Sequence, residues 1–143
     1  MRPIKFRAWD KINKRFTPIN DIVFFQDGDI RQISTHYMEH GDAEDDNNAA
    51  YLEDVILLQY TCLKDKNGLE IYEGDIVKWS RLCIDFRLEN YEERSDNFAV
   101  EWDVYNTGYV LGDGEAFLYK DISAELEVIG NIYENPELLG ELP

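Results

Sequence analysis

Between Gln59 and Trp79 the chain reads QYTCLKDKNGLEIYEGDIVKW, and no other stretch constrains the fold as strongly. Asn67-Gly68 and Glu73-Gly74-Asp75 are turn signals on either side of the short apolar word Ile71-Tyr72. Glycine reaches positive φ at no steric cost, so both points are places where the backbone can reverse. Ile76, Val77 and Trp79 then supply the β-branched and aromatic side chains of a strand. Gly74 is expected to hold a positive φ at the entry to that strand. The stretch reads as β architecture rather than as a catalytic motif.

The same grammar runs through the whole chain. Residues 4–9 alternate, and the polar run Asp10 to Arg15 turns the chain. Asp27-Gly28 is expected to form a tight hairpin turn between Val23-Phe24-Phe25 and Ile30–Ile33. YLEDVILLQYT leans towards a strand. The segment around ENYEERSDN reads as an acidic patch, and residues 98–102 alternate again. YNTGY is a turn, the GDG of residues 112–114 is a hairpin signal, and LEVIGNIY is the last strand. Asn135 and Pro136 fit the cap and first position of one helical turn. Strands this short, punctuated by glycines, predict a mainly β protein with little helix and a small barrel or roll in its C-terminal part. The expected organisation is an N-terminal β-hairpin sub-domain over 1–60, carrying an acidic loop at 39–48. The roll would occupy 61–143, end in a short helical turn and pack with the first part.

A chain of 143 residues with 44% hydrophobic side chains can bury a core of its own. It contains no apolar run long enough to cross a membrane as a helix, and MRPIKFRAWD has no apolar signal core. Two cysteines, Cys62 and Cys83, suit a reducing compartment. The reading is a cytoplasmic protein. A net charge of −16 argues against direct binding of nucleic acid, whose affinity comes mainly from Lys and Arg displacing phosphate counterions. The charge is also unevenly placed. Residues 1–31 hold seven Lys/Arg against four Asp/Glu, and the remainder holds seven against 26. Lys11, Lys14 and Arg15 therefore form a basic turn that could meet an acidic face such as Glu89, Glu92, Glu93 and Asp96 on a second copy. That predicts a homo-oligomer whose interface includes residues from the first 31. A basic partner protein is the other occupant such a surface fits.

Two patterns resemble metal sites. HYMEH matches the H-x-x-E-H of one class of zinc peptidases, in which His36 and His40 would face one metal while Glu39 activates water. The match lacks a third ligand and a long helix, because the chain enters the acidic loop directly after His40. Asp42, Glu44, Asp46, Asn48 and Glu53 fall at positions 1, 3, 5, 7 and 12 of a calcium loop, but Asn47 replaces the glycine at position 6. A surface pair and a solvated acidic loop are the favoured readings. There is no G-x-S-x-G, no phosphate-binding glycine loop and no C-x-x-C. No cofactor is implied.

MRPIKFRAWD, LQYTCLKDKNGLEIYEGDIVKW and VIGNIYENPELL together resemble the three signature blocks of the YopX family of phage and prophage proteins, in the family's order and from end to end. Arg7, Ala8, Trp9 and Asp10 match the first block. Tyr60, Gly68, Ile71, Tyr72, Gly74 and Asp75 match the second, and Gly130, Asn131, Tyr133, Asn135 and Pro136 the third. The resemblance implies a mainly β fold with an SH3-like roll and a prophage-borne, cytoplasmic protein, and it brings no assigned activity. Where the family's pattern reads TGLKD this chain has Cys62, which speaks against a catalytic thiol at that position. The resulting expectation is a non-enzymatic accessory protein acting through protein contacts or self-assembly. Two alternatives stay open: an acidic mimic of DNA that occupies a host DNA-binding protein, and a small metal-dependent hydrolase built on His36, Glu39 and His40. Stoichiometric zinc in untagged protein would select the hydrolase.

Overall fold

The computed structural model describes residues 1–35, 49–50 and 52–140. The chain is mainly β and divides into two compact units, Ile4–Gln59 and a larger one made of Met1–Pro3 with Tyr60–Pro143.

In the first unit, β1 (Phe6–Asp10) lies between β2 (Arg15–Thr17) and the first half of a long strand that begins at Val55, all antiparallel. A second ladder joins β3 (Ile19–Phe24), β4 (Ile30–Thr35) and β5 (Ala49–Ala50). Ala8, Ile33 and Val55 are buried together, with Ile19, Ile30 and Leu57 packed around them. The β3–β4 connection differs from the expected two-residue turn. Gly28 alone takes positive φ (+97°), and Phe25 N–H bonds Asp29 O while Gly28 N–H bonds Phe25 O. This is a three-residue loop ending in a left-handed glycine, and the Asp27 carboxylate takes the Asp29 N–H instead of its own backbone taking positive φ.

The larger unit begins with the second half of β6 (Val55–Lys64) and adds β7 (Glu70–Tyr72), β8 (Asp75–Asp85), β9 (Asn90–Asp103), β10 (Gly108–Leu111), β11 (Ala116–Phe117) and β12 (Leu126–Asn131). Five strands in the order β11-β10-β9-β8-β12 make a curled half-barrel. Ile71, Val77, Val100, Leu111 and Leu126 are fully buried in it, with Leu118 beside them. A four-residue helix α1 (Lys120–Ser123), unanticipated from the sequence, follows β11.

Two expectations are corrected here. The acidic segment is not a patch between strands: from Asn90 onward it is the first half of β9, a strand of 14 residues. Its acids lie on a ladder because the opposing strand β8 carries Leu82, Cys83 and Ile84, strong strand formers paired with Glu93, Glu92 and Tyr91. Asn135 does precede a 3-10 turn with Pro136 first, but its side chain does not cap it. Its Oδ1 instead accepts the Asn131 N–H at 3.4 Å.

Candidate functional site

The signature residues build turns. In the smaller unit Trp9 meets Phe16 edge-on at 5.1 Å, and the Arg7 guanidinium lies over the same ring at 5.0 Å. Asp10 closes the hairpin: its Oδ1 accepts the backbone N–H groups of Ile12 and Asn13, both at 2.9 Å, and its Oδ2 takes the Asn13 amide at 2.7 Å. Lys14 then adopts φ +53°. The device recurs. Asp85 accepts from Arg87 and Leu88 with Glu89 at φ +50°, and Asp103 accepts from Tyr105 and Asn106 with Thr107 at φ +51°. The Asn106 side chain, then the Tyr105 N–H, hold the Asp103 carboxyl below its ordinary range.

In the larger unit Asp65 organises the Asn67-Gly68 turn. Its Oδ1 accepts from Asn67 and Leu69, and its Oδ2 reaches the Val128 N–H at 2.9 Å, tying that turn to β12. Tyr60 and Tyr72 rings stand 5.4 Å apart, and Tyr72 OH donates to Glu70. Asp75, 1% exposed, accepts the Tyr72 N–H at 2.7 Å, while Gly74 at φ +80° bonds Val100 O and Ile132 N–H. Asn131 accepts from Tyr133 and Glu134. Burial, and after it the Glu73 carboxylate, push the Tyr133 and Tyr109 phenols up. The sequence thus marked residues whose side chains are committed to backbone hydrogen bonds and ring packing.

His36, Glu39 and His40 lie outside the described residues, as do Asp42, Glu44, Asp46 and Asn48. Among the described residues no group of three or more His, Cys, Asp or Glu side chains is placed to hold a metal ion. An open groove of about 490 Å³ runs beside β9, where Asn97 donates to Leu138 O at 2.7 Å.

A group of exposed apolar side chains lies on β8, β9 and the turn between them. β12 accompanies β8 only as far as Trp79, and β10 accompanies β9 only from Val100 onward, yet β8 and β9 stay paired out to Asp85 and Asn90. Ser80–Asp85 and the facing part of β9 therefore form a two-stranded arm beyond the body of the sheet. Its root is fixed. Trp79 donates its indole N–H to Glu125, Arg81 stacks on Trp79 at 4.5 Å, and Arg81 bonds Asp96 at 3.2 Å. Arg81 Nη1 is buried with no hydrogen-bond partner among the described residues. Farther out, Leu82, Ile84 and Tyr91 share one exposed face, and Phe86 (87% exposed) and Leu88 stand in the turn. Arg81 lies directly opposite Arg94, a repulsive pairing that Asp96 and Glu92 offset. The available signal was the alternation of Leu82 and Ile84 ahead of Asp85, the acid that starts the turn.

A curled, mainly β half-barrel carrying a protruding hairpin arm defines the structural class. The chain belongs to the YopX family, whose model, described as YopX protein, matches residues 5–140. The crystal structure of protein EF1440 from Enterococcus faecalis is similar, with 25% identity, 97% of this chain and 99% of that one covered, and a TM-score of 0.65. No curated protein matches the chain. Among the described residues no helix is long and apolar enough to cross a membrane.

Proposed function

We propose that this YopX-family chain is a non-enzymatic accessory protein of phage or prophage origin, working in the host cytoplasm through protein contacts made by the β8–β9 arm. One observation carries the reading: a paired ribbon displays Leu82, Ile84, Phe86, Leu88 and Tyr91 to solvent with no further strand on either side of its outer half among the described residues. Two-stranded ribbons are marginal alone in water, and open strand edges recruit further strands. Exposed apolar side chains on such a ribbon form a contact surface. Either a second copy or another protein, a basic host or phage protein included, would satisfy it.

The test places a photo-crosslinking amino acid at Leu88 and irradiates host cells carrying the protein. Discrete adducts from this position, absent when the same probe replaces Glu127, support the reading. No adduct from the arm overturns it.

A further inference from the structure

We propose that the outer edge of β8 pairs antiparallel with the same segment of a second copy, about a two-fold axis through Cys83. This rests on the reading of the arm as a contact element and names its partner. Beyond Trp79 the outer edge of β8 meets no strand among the described residues, whereas Asn97 on β9 is bonded to the C-terminal 3-10 turn through Leu138. The edge over Ser80–Asp85 is therefore open to a further strand.

Its sequence is self-complementary. With the axis at Cys83, Leu82 faces Ile84 of the second copy, Arg81 faces Asp85, and Cys83 faces Cys83. Directly opposed residues in an antiparallel pair project to the same side, so Leu82 and Ile84 of both copies, with the flanking Tyr91 pair, merge into one apolar strip. The opposite side carries the two Arg81–Asp85 pairings. Neighbouring registers lose this match. An axis at Leu82 leaves Arg81 against Cys83, and one at Ile84 sets Arg81 against Arg87. A shift of half a step would put the apolar and charged sides on opposite faces.

Charge favours the same edge. Residues 80–88 hold Arg81 and Arg87 against Asp85 alone, a net of +1 in a chain of −16. The paired edge therefore adds little to the repulsion between two acidic copies, and salt screens the remainder. Pairing turns two marginal two-stranded ribbons into a single four-stranded sheet, closing the open edge of each.

The experiment uses the full chain with Cys62→Gly, leaving Cys83 as its one thiol. Light scattering at tens of micromolar protein is expected to give a dimer. Opposed Cα atoms in an antiparallel pair lie about 4.5–5.5 Å apart, within disulfide range. Copper(II) phenanthroline, taking two electrons as the two thiols release two protons, should then link Cys83 to Cys83. Arg81→Asp, which sets an acid against Asp85 of the second copy, should weaken the dimer about tenfold. A register check avoids these charged positions. In a Cys83→Ser background, chains carrying Leu82→Cys and Ile84→Cys should cross-link with each other more than either does with itself. A monomer overturns the proposal, and so does a dimer in which Cys83 fails to link or the Leu82→Cys and Ile84→Cys chains link no better with each other than with themselves. If Leu88 adducts in cells contain only a different protein and the purified chain is monomeric, the arm reading stands and the self-pairing falls.

Discussion

The carboxylate of Asp75 accepts the Tyr72 backbone N–H at 2.7 Å across the turn that Gly74 makes, and Asp75 is almost wholly buried. This contact joins the end of β7 to the start of β8. Removing it leaves a buried donor unsatisfied, which costs about 1–3 kcal/mol. Asp75→Ala is expected to lower stability by that amount in urea unfolding, and Asp75→Asn, which keeps an acceptor oxygen, by less. Equal losses for both variants would show that the carboxylate is not serving as the acceptor that matters.

Gly130 is required by space. A Cβ there would stand 2.6 Å from Asn135 Oδ1 and 3.0 Å from Asn135 Cβ. Gly130→Ala should therefore destabilise by about 1–3 kcal/mol through overpacking. Because the clash is with one side chain, Asn135→Gly should recover part of the loss, giving a non-additive double-mutant cycle. Strict additivity would place the cost elsewhere.

Positive φ at non-glycine positions gives predictions of opposite sign. Gly74 sits at φ +80°, so Gly74→Val is expected to cost about 1–3 kcal/mol through backbone strain. Cys62 sits at φ +68° in a β6–β7 irregularity, its thiol 3.5 Å from Pro3 O. That is the position where the YopX pattern has glycine. Cys62→Gly should raise stability, by up to about 1 kcal/mol, since relief of the left-handed strain outweighs the added chain entropy. Glu89→Gly at φ +50° should behave likewise. A lower melting temperature for both would contradict this.

Alkaline pH should expose the two raised phenols. Burial, and then the nearby Glu73 charge, raise the Tyr109 and Tyr133 phenols above the ordinary tyrosine range in the folded chain. The unfolded chain therefore loses these protons first. Stability is fully present below pH of about 10 and falls as pH rises through the folded values. Ultraviolet titration compared with Tyr109→Phe and Tyr133→Phe should show that each variant removes one late-ionising phenol, and Glu73→Gln should bring both phenols down. An unchanged titration in that variant would remove Glu73 as a cause.

Most of the β grammar was legible locally, because turns are decided by a few adjacent residues. Gly68 and Gly74 take the positive φ that only glycine adopts freely, and β1, β6 and β12 lie where alternation and β-branched content place them. The three blocks of YopX resemblance mark these same turn residues. Even the repeated device of Asp10, Asp85 and Asp103 is written in sequence, as an acid four residues before a strained Lys14, Glu89 or Thr107. Composition, however, gives a charged strand the same appearance as a charged loop. Residues 90–97 became part of β9 only because β8 lay alongside to pair with them, and strand pairing is a non-local interaction. Burial was decided at the same level. Leu82 and Val77 are both apolar strand residues of β8, but β12 and β9 flank Val77 within the curled sheet, while Leu82 lies beyond the last residue that β12 reaches. Sequence alone determined which residues turn and which extend; the tertiary structure decided which strand runs past its neighbours and leaves its apolar side chains in water.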